Sequence, residues 1–175
     1  METRFDTTTE TAMVNRRFLV TTGLCGGAAA LAAGLGTARP GTARIFEGDR
    51  GDAEWRRRLS AGQYEVLRRS GTERPYTSAL LDEHRRGVFT CAGCDLATFS
   101  SVAKYDSGTG WPSFWAALDG AVVEDDDRSF GVLRTAVSCC RCGGHLGHVF
   151  ADGPQPTGLR YCMNGVALGF TPMAA

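Results

Sequence analysis

Two Cys-x-x-Cys pairs, Cys91/Cys94 and Cys139/Cys142, restrict what this chain can fold into more than any other feature. Two thiolates separated by two residues can bind one tetrahedral ion from a single tight turn, and a second pair completes a set of four sulfurs. Because the pairs lie far apart in the chain, the ion would join distant parts of one domain. The sequence therefore predicts one structural Zn²⁺ per chain, with these four cysteines as its ligands.

Two alternatives stay open for the same cysteines. In an exported protein they could form disulfides, and Cys91 and Cys94 could instead form the redox pair of a thioredoxin-like oxidoreductase. The repeated spacing favours zinc over both alternatives. His145 follows Cys142 by three residues and could also be a ligand, although four sulfurs already complete the site.

The size and charge of the chain exclude some classes of protein. Its 175 residues are enough for one ordinary domain with its own core. The 19 basic and 19 acidic residues leave no net charge, and no long basic stripe is present, so nucleic acid is not an expected partner. The seven cysteines cannot all pair within one molecule, because their number is odd. A monomer is expected.

Residues 1–43 have the pattern of an export leader. Arg16 and Arg17 precede a long uncharged run of small and apolar residues, which is similar to a twin-arginine signal. We therefore expect export to the periplasm or another extracytoplasmic side, with a linker at 44–53 and the folded domain at 54–175. The alternatives are an uncleaved membrane anchor and, if the leader is not functional, a cytoplasmic protein.

The folded domain is predicted to be small and mainly β, with short helices near its start. Asp52 is predicted to cap a helix that runs through Leu59, and Ser60 a second helix that ends near Gly71. Further on, short apolar runs between Gly, Pro, Asp and Ser predict antiparallel strands. These runs are Val88–Phe89, 121–123, 132–137, 146–150 and 159–170.

Cys162 is the candidate reactive thiol. If 159–170 is one strand, side chains alternate between its faces, so Arg160, Cys162 and Asn164 point the same way. A nearby cation favours the thiolate, which is the reactive form. The alternative is that Cys162 is a small buried apolar residue. Polar neighbours on its own face argue for the reactive role.

Two other segments carry candidate functional residues. His145 and His148 lie close to the second cysteine pair in a chain with three histidines, and they are candidates for proton transfer. The loop 106–114 is rich in Gly and contains Trp111 and Phe114, which are either core residues or part of an apolar patch that binds a ligand.

Six ordered motifs give this chain a specific resemblance. They are GTERPYTS at 71–78, CAGC at 91–94, KYDSGTGWPSF at 104–114, HLGHVF at 145–150, DGP at 152–154 and RYCMN at 160–164. Together they span about residues 54–173, and the chain resembles the B-type peptide methionine sulfoxide reductases.

The resemblance implies a β-tent-like antiparallel fold with a four-cysteine zinc site, and reduction of methionine R-sulfoxide, free or within oxidised proteins. By this resemblance Cys162 attacks the sulfoxide sulfur and becomes a sulfenic acid. His145, His148 and Asn164 would bind the sulfoxide oxygen or supply its protons, and Arg160 would favour the thiolate.

The substrate and the reductant follow from the same resemblance. Trp111 would pack against the S-methyl group of the substrate, with Phe114 in the same binding loop. Many members carry a second cysteine where this chain has Thr109, and that cysteine resolves the sulfenic acid. Here either Cys140 or an external thiol, such as a thioredoxin-like protein, must reduce Cys162. The external thiol is favoured, because a residue beside a metal-binding turn has little freedom to reach a distant sulfur.

A different class of protein remains an alternative at this point. The chain could be a non-enzymatic, zinc-stabilised module that binds peptides through the loop around Trp111, because a fold alone does not establish a function.

Overall fold

The structure is a computed structural model that describes residue 46 and residues 50–174. The predicted leader, 1–43, and part of the predicted linker, 44–53, lie outside the described residues, so their bounds and their role in export stay predictions. No helix in the described part of the chain is long and apolar enough to cross a membrane.

Two short helices open the domain, α1 (Asp52–Arg58) and α2 (Ala61–Arg69). The prediction for the start of α2 is confirmed. The Ser60 hydroxyl accepts a hydrogen bond from the backbone N–H of Gln63, and the Gln63 side chain accepts one from the backbone N–H of Ser60. This reciprocal capping satisfies two N–H groups that have no partner within the helix.

The predicted cap of α1 is wrong by one residue. Gly51 occupies the cap position, and Asp52 is the first helical residue. The Asp52 carboxylate instead accepts hydrogen bonds from the Tyr64 hydroxyl and the Arg56 guanidinium. The bond to Tyr64 joins α1 to α2, so a contact between the helices decided the orientation of this side chain.

Within residues 50–174, nine strands form two antiparallel sheets. In chain order they are β1 (Gly87–Cys91), β2 (Ala97–Ser100), β3 (Lys104–Tyr105), β4 (Ser113–Phe114), β5 (Val122–Asp127), β6 (Arg134–Cys139), β7 (His145–Phe150), β8 (Arg160–Met163) and β9 (Leu168–Pro172). The smaller sheet has the order β2-β1-β9, and the larger sheet has the order β3-β4-β8-β7-β6-β5. The prediction of a mainly β domain with short helices near its start is confirmed.

The apolar run 159–170 is not one strand, as the sequence predicted. β8 ends at Met163, a 3₁₀ turn covers Gly165–Ala167, and β9 then pairs with β1 in the other sheet. The Asn164 side chain accepts a hydrogen bond from the backbone N–H of Glu73, which fixes the chain where it leaves the larger sheet. A run of apolar residues does not show such a crossing, because it does not record which sheet each residue joins.

The short strands β2, β3 and β4 were not predicted, and the bounds of β5 differ from the prediction. β5 contains four acidic residues in a row, and its structure comes from a continuous pairing with β6, from Val122 opposite Cys139 to Asp127 opposite Arg134. Cross-strand hydrogen bonds therefore hold a segment that has no apolar alternation of its own.

The core lies between the two sheets. The ring of Phe114 on β4 stacks on Phe99 of β2 at a centroid distance of 4.5 Å, and it meets Phe89 of β1 edge to face at 5.0 Å. Trp55 of α1 and Leu67 of α2 are also buried in this core. The aromatic contacts across the sheets hold β4 in place, and β4 in turn pairs with β8, which carries Cys162.

Candidate active site and metal centre

The four predicted ligand cysteines come together at one point. Cys91 ends β1 and Cys139 ends β6, and each is followed by a tight turn to the second cysteine of its pair. All four sulfurs lie within 4.8 Å of one another, with 3.7 Å between Cys91 and Cys142 and 3.5 Å between Cys94 and Cys139. A tetrahedral ion with bonds of about 2.3 Å to sulfur places its ligands about 3.8 Å apart. The geometry therefore fits one such ion.

The backbone of both turns suits a cluster of thiolates. The backbone N–H of Gly93 donates to the sulfur of Cys91 at 3.4 Å, and the N–H of Gly143 donates to the Cys139 carbonyl at 2.9 Å. Gly143 has a φ of +67°, and a side chain there would collide with the ring of Phe46. Glycine is therefore required by both conformation and space at the second turn.

The arrangement bears on two of the alternatives for these cysteines, a ligand role for His145 and a redox pair Cys91/Cys94. His145 is not part of the cluster, which among the described residues is formed by the four sulfurs alone. Cys91 is fully buried and lies 3.7 Å from a cysteine of the other pair, so the pair Cys91/Cys94 is not an accessible redox dithiol of the thioredoxin kind.

Cys162 opens into a separate cavity of about 140 Å³. Three residues that the sequence predicted for the site, Trp111, His148 and Asn164, line this cavity together with Cys162. The remaining lining residues are Thr72, Arg134, Gly147 and Phe150. A larger hollow of about 560 Å³ beside α2 contains neither a thiol nor an imidazole, so size alone does not locate the chemistry.

The register of the larger sheet brings the thiol and an imidazole together. β8 lies between β4 and β7, and Cys162 is directly opposite Ser113 on one side and His148 on the other. Gly147, beside His148, has no room for a side chain, because a Cβ there would meet the backbone of Cys162 and Met163. This glycine lets β7 and β8 approach closely at the site.

An acidic residue that the sequence did not single out fixes His148. The Nε2 atom of His148 lies 2.8 Å from a carboxylate oxygen of Asp127, and Arg134 donates to the same oxygen at 2.7 Å. Hydrogen bonds from Ser129, followed by the contact with His148, hold the pKa of Asp127 well below its usual range. The imidazole near Cys162 therefore has a permanent anion beside it, in an arrangement that orients the ring.

His145 differs from His148 in its environment. It is buried, its ring centroid lies 5.2 Å from that of His148, and its Nε2 atom has no hydrogen-bond partner within the described residues. Burial, and then the neighbouring His148, lower the pKa of His145 to about 4. His145 is therefore neutral near pH 7, and it does not line the cavity.

Asn164 and Trp111 form walls of the cavity, and each has its polar group fixed. The Asn164 amide donates to the Leu146 carbonyl at 3.0 Å and accepts from the backbone N–H of Glu73 at 3.0 Å. The indole N–H of Trp111 donates to the Glu73 carbonyl at 3.1 Å. Asn164 lies beyond the end of β8. These hydrogen bonds, and not the alternation of side chains along a strand, therefore orient its side chain at the cavity.

Arg160 lies two residues before Cys162 on β8, and both are half-buried, whereas Tyr161 and Met163 between and beyond them are buried. The alternation predicted for Arg160 and Cys162 is therefore confirmed. The Arg160 guanidinium makes two hydrogen bonds of 2.8 Å to Asp152, which raise its pKa. The cation near the thiol thus has a partner of opposite charge and a fixed position.

The SelR domain matches residues 59–172, which is more than half of the chain. A peptide methionine sulfoxide reductase MsrB of Thiobacillus denitrificans is 55% identical over 122 residues, which cover 69% of this chain and 92% of that protein. Proteins with the same description from Pseudomonas putida (strain W619) and Agrobacterium fabrum are 54% and 48% identical over 120 and 126 residues, covering 68% and 71% of this chain and 90% and 93% of those proteins.

The chain belongs to the B-type peptide methionine sulfoxide reductases. Membership of this reductase family confirms the resemblance drawn from the six motifs, and it makes the chain an oxidoreductase. The alternative of a non-enzymatic, peptide-binding module is not favoured.

The prediction that Phe114 contacts the substrate is wrong. Its side chain is fully buried, stacked on Phe99 in the core between the sheets. Phe114 is paired with Tyr161 on β8, whose side chain is also buried, whereas the preceding Trp111 turns its indole to the cavity. Phe114 belongs to the short strand β4 and is a core residue, whereas Trp111 precedes that strand and lines the cavity.

Thr109 occupies the place at which many members of this reductase family carry a second cysteine. Its hydroxyl lies 3.8 Å from the sulfur of Cys162 and 2.8 Å from the hydroxyl of Ser107. Ser107 in turn lies 2.7 Å from the hydroxyl of Ser113. The sulfur of Cys162 thus has a chain of three hydroxyl groups beside it, from Thr109, Ser107 and Ser113.

The low pKa of His145 generates a prediction for the imidazole signals. With three histidines in the chain, proton NMR can follow each ring separately, and a His145→Gln variant identifies the signal of His145. Because burial disfavours the charged ring, we expect that signal to show no titration between pH 8 and 5 and to move only as the pH falls to about 4. An inflection near pH 6.5 would contradict the assignment of a neutral ring.

Proposed function

We propose that this protein reduces methionine R-sulfoxide, free or within oxidised proteins, to methionine, with Cys162 as the nucleophile, and so repairs proteins after oxidative stress. The observation that carries the proposal is the position of Cys162 in a cavity formed with His148, Trp111 and Asn164, in a chain of this family. The printed names of the relatives describe peptide methionine sulfoxide reductases, which supports the same substrate class.

In the proposed first step the Cys162 thiolate attacks the sulfoxide sulfur. The oxygen passes to Cys162, which becomes a sulfenic acid, and methionine leaves with its sulfur reduced by two electrons. The sulfoxide oxygen must gain a proton during this step. His148 is the proposed proton donor, because it lies opposite Cys162 on the neighbouring strand and its ring is fixed by Asp127.

The other polar residues have supporting roles in this proposal. His145 contributes a neutral ring beside His148, and Asn164 provides an amide at the cavity wall for the sulfoxide oxygen. Arg160, held by Asp152, stabilises the thiolate through its charge. Trp111 offers an apolar surface for the S-methyl group, and its fixed indole limits how the substrate can orient.

Replacement of the nucleophile tests the reaction directly. We expect Cys162→Ser to abolish stereospecific reduction of methionine R-sulfoxide with dithiothreitol as reductant, because a serine hydroxyl is a much poorer nucleophile than a thiolate. The fold and the metal content should not change, because Cys162 lies outside the four-sulfur cluster. The matched control is Cys140→Ser, which should keep most of the activity. Appreciable turnover by Cys162→Ser would refute the mechanism.

We propose that an external thiol reduces the sulfenic acid. The register places Ala136 opposite His148 and His148 opposite Cys162, so Cys140, just past the end of β6, is four residues beyond Ala136 and two strands away from Cys162. This corresponds to about 13 Å along the strand and about 10 Å across the sheet. A disulfide requires Cα atoms within about 7 Å, so Cys140 does not fit the role. A thiol RSH would instead form a mixed disulfide with Cys162 and release water, and a second thiol would then free Cys162.

A single substitution should change the route of reduction. The Thr109 hydroxyl lies 3.8 Å from the sulfur of Cys162, so a thiol at this position needs only a small movement to form a disulfide. We expect Thr109→Cys to form a Cys162 disulfide after one turnover in the absence of reductant, detected by mass mapping. Thr109→Ser is the matched control and should form none. A disulfide between Cys140 and Cys162 in the unmodified protein would overturn the external-thiol proposal.

We propose that the ion in the four-sulfur cluster is Zn²⁺ with a structural role. Four thiolates are a preferred ligand set for zinc and leave no open position for a substrate. Metal analysis of freshly purified protein should give about one zinc per chain. Cys94→Ser should lose the zinc and lower the melting temperature, whereas Cys140→Ser should retain both. Purified protein that is folded but free of zinc would contradict this assignment.

We also propose that residues 1–43 direct export, on the support of the paired Arg16 and Arg17 before an uncharged segment. The folded domain would act outside the cytoplasm as a monomer. Fractionation of cells that produce the full chain should place the protein in the extracytoplasmic fraction, and replacement of both arginines by lysine should retain it in the cytoplasm.

A further inference from the structure

Glu73 is a half-buried acidic residue that no step of the proposed reaction uses. It lies in the irregular segment between α2 and β1, next to Thr72, which lines the Cys162 cavity. One of its carboxylate oxygens accepts a hydrogen bond from the backbone N–H of Gly165, and the other accepts one from Val166 at 3.1 Å. The carboxylate is therefore bound to the 3₁₀ turn that follows β8.

The main chain of Glu73 contacts two walls of the cavity. Its N–H donates to the Asn164 side chain at 3.0 Å, and its carbonyl accepts from the Trp111 indole at 3.1 Å. Asn164 and Trp111 come from different parts of the chain, and both line the cavity with Cys162. Glu73 is thus hydrogen-bonded to both residues proposed to contact the sulfoxide oxygen and the S-methyl group.

The two sets of contacts depend on each other. The bonds from the carboxylate to the turn hold the Glu73 backbone at a fixed distance from Asn164, which directly precedes the turn. The backbone packs tightly there, because a Cβ on Gly165 would collide with the side chain of Ser78. The carboxylate also supplies the acceptors for two backbone N–H groups, and loss of an acceptor would leave a buried donor unpaired.

We propose that Glu73 is a positioning residue of the reductase, whose carboxylate fixes the turn after β8 so that its own main chain holds the Asn164 amide and the Trp111 indole in place for the substrate. The proposal rests on the function proposed above and adds the residue that sets the shape of the substrate site. Burial raises the pKa of Glu73, and the two backbone hydrogen bonds oppose that shift. A carboxylate suits this position because its two oxygens accept hydrogen bonds from two backbone N–H groups, those of Gly165 and Val166.

The test compares Glu73→Gln with the unmodified protein in steady-state reduction of methionine R-sulfoxide. A glutamine offers one acceptor oxygen and turns an NH₂ group toward the second backbone N–H. Because Asn164 and Trp111 would lose their fixed orientation, we expect kcat/KM to fall by roughly tenfold or more, mainly through a higher KM. Glu83→Gln is the matched control, since Glu83 is also a poorly exposed carboxylate but is bonded to Arg85, and it should change kcat/KM less than about twofold.

Two further readouts separate positioning from a general loss of structure. The rate of Cys162 alkylation by iodoacetamide without substrate should stay within about twofold in Glu73→Gln, because the nucleophile is held by β4 and β7. In a double-mutant cycle, Glu73→Gln should have a much smaller effect when Trp111 is already replaced by Phe, which lacks the indole N–H. If Glu73→Gln does not fold, Glu73→Asp, with a shorter carboxylate, is used for the same comparisons.

The outcomes are distinct. A raised KM with unchanged alkylation and non-additivity with Trp111→Phe supports the proposal. If the unmodified protein is active, any one of three results overturns the proposal. These are an unchanged KM in Glu73→Gln, additive effects of Glu73→Gln and Trp111→Phe, and an alkylation rate that falls in step with kcat/KM. Absence of turnover in the unmodified protein is instead a failure of the proposed function. In that case Glu73→Gln is combined with Cys162→Ser, and the affinity of this double variant for a methionine sulfoxide peptide is compared with that of Cys162→Ser alone. Equal affinities overturn the positioning role.

Discussion

The four-sulfur cluster joins the two sheets of this protein, and the rest of the domain depends on that junction. Cys91 ends the central strand of the smaller sheet and Cys139 ends a strand of the larger one, so the cluster fixes the end of β1 against the end of β6. The aromatic ring of Phe114, stacked on Phe99 and edge to face with Phe89, holds the same two sheets together further inside the core. The cluster at one end and a packed core at the other bring the same two sheets together, and an ion bound by the four sulfurs would restrict how the sheets move relative to each other.

The candidate active site around Cys162 lies in the larger sheet. Cys162 lies on a strand with neighbours on both sides, and the opposing His148 has its ring fixed by a carboxylate from the edge strand β5. Charged residues near the thiol come in pairs, Arg160 with Asp152 and Arg134 with Asp127, so each charge has a defined place. Cys162 and His148 are thus positioned by regular strands. Side chains on strands are placed more exactly than side chains on loops.

Irregular segments complete the cavity. Trp111 and Thr72 come from loops, and Asn164 lies at the exit from β8. Such segments have no strand ladder to hold them, so their positions depend on individual hydrogen bonds, of which those made by Glu73 connect three separate parts of the chain. One residue of such a loop, Thr109, has its hydroxyl 3.8 Å from the sulfur of Cys162.

The sequence alone predicted the class of fold, the four cysteines that come together, the cap of α2 and the family, because each rests on residue types at fixed local spacings. It did not determine that the run 159–170 divides between two sheets, that Phe114 belongs to the core, or that Asp127 lies beside His148. Those features depend on which strands pair and in what register. Pairing between distant segments is decided by cross-strand hydrogen bonds and by packing across the sheets, which leave no local pattern in the chain. The tertiary structure therefore decided which residues surround Cys162, because those neighbours come from strands and loops that are distant in the chain.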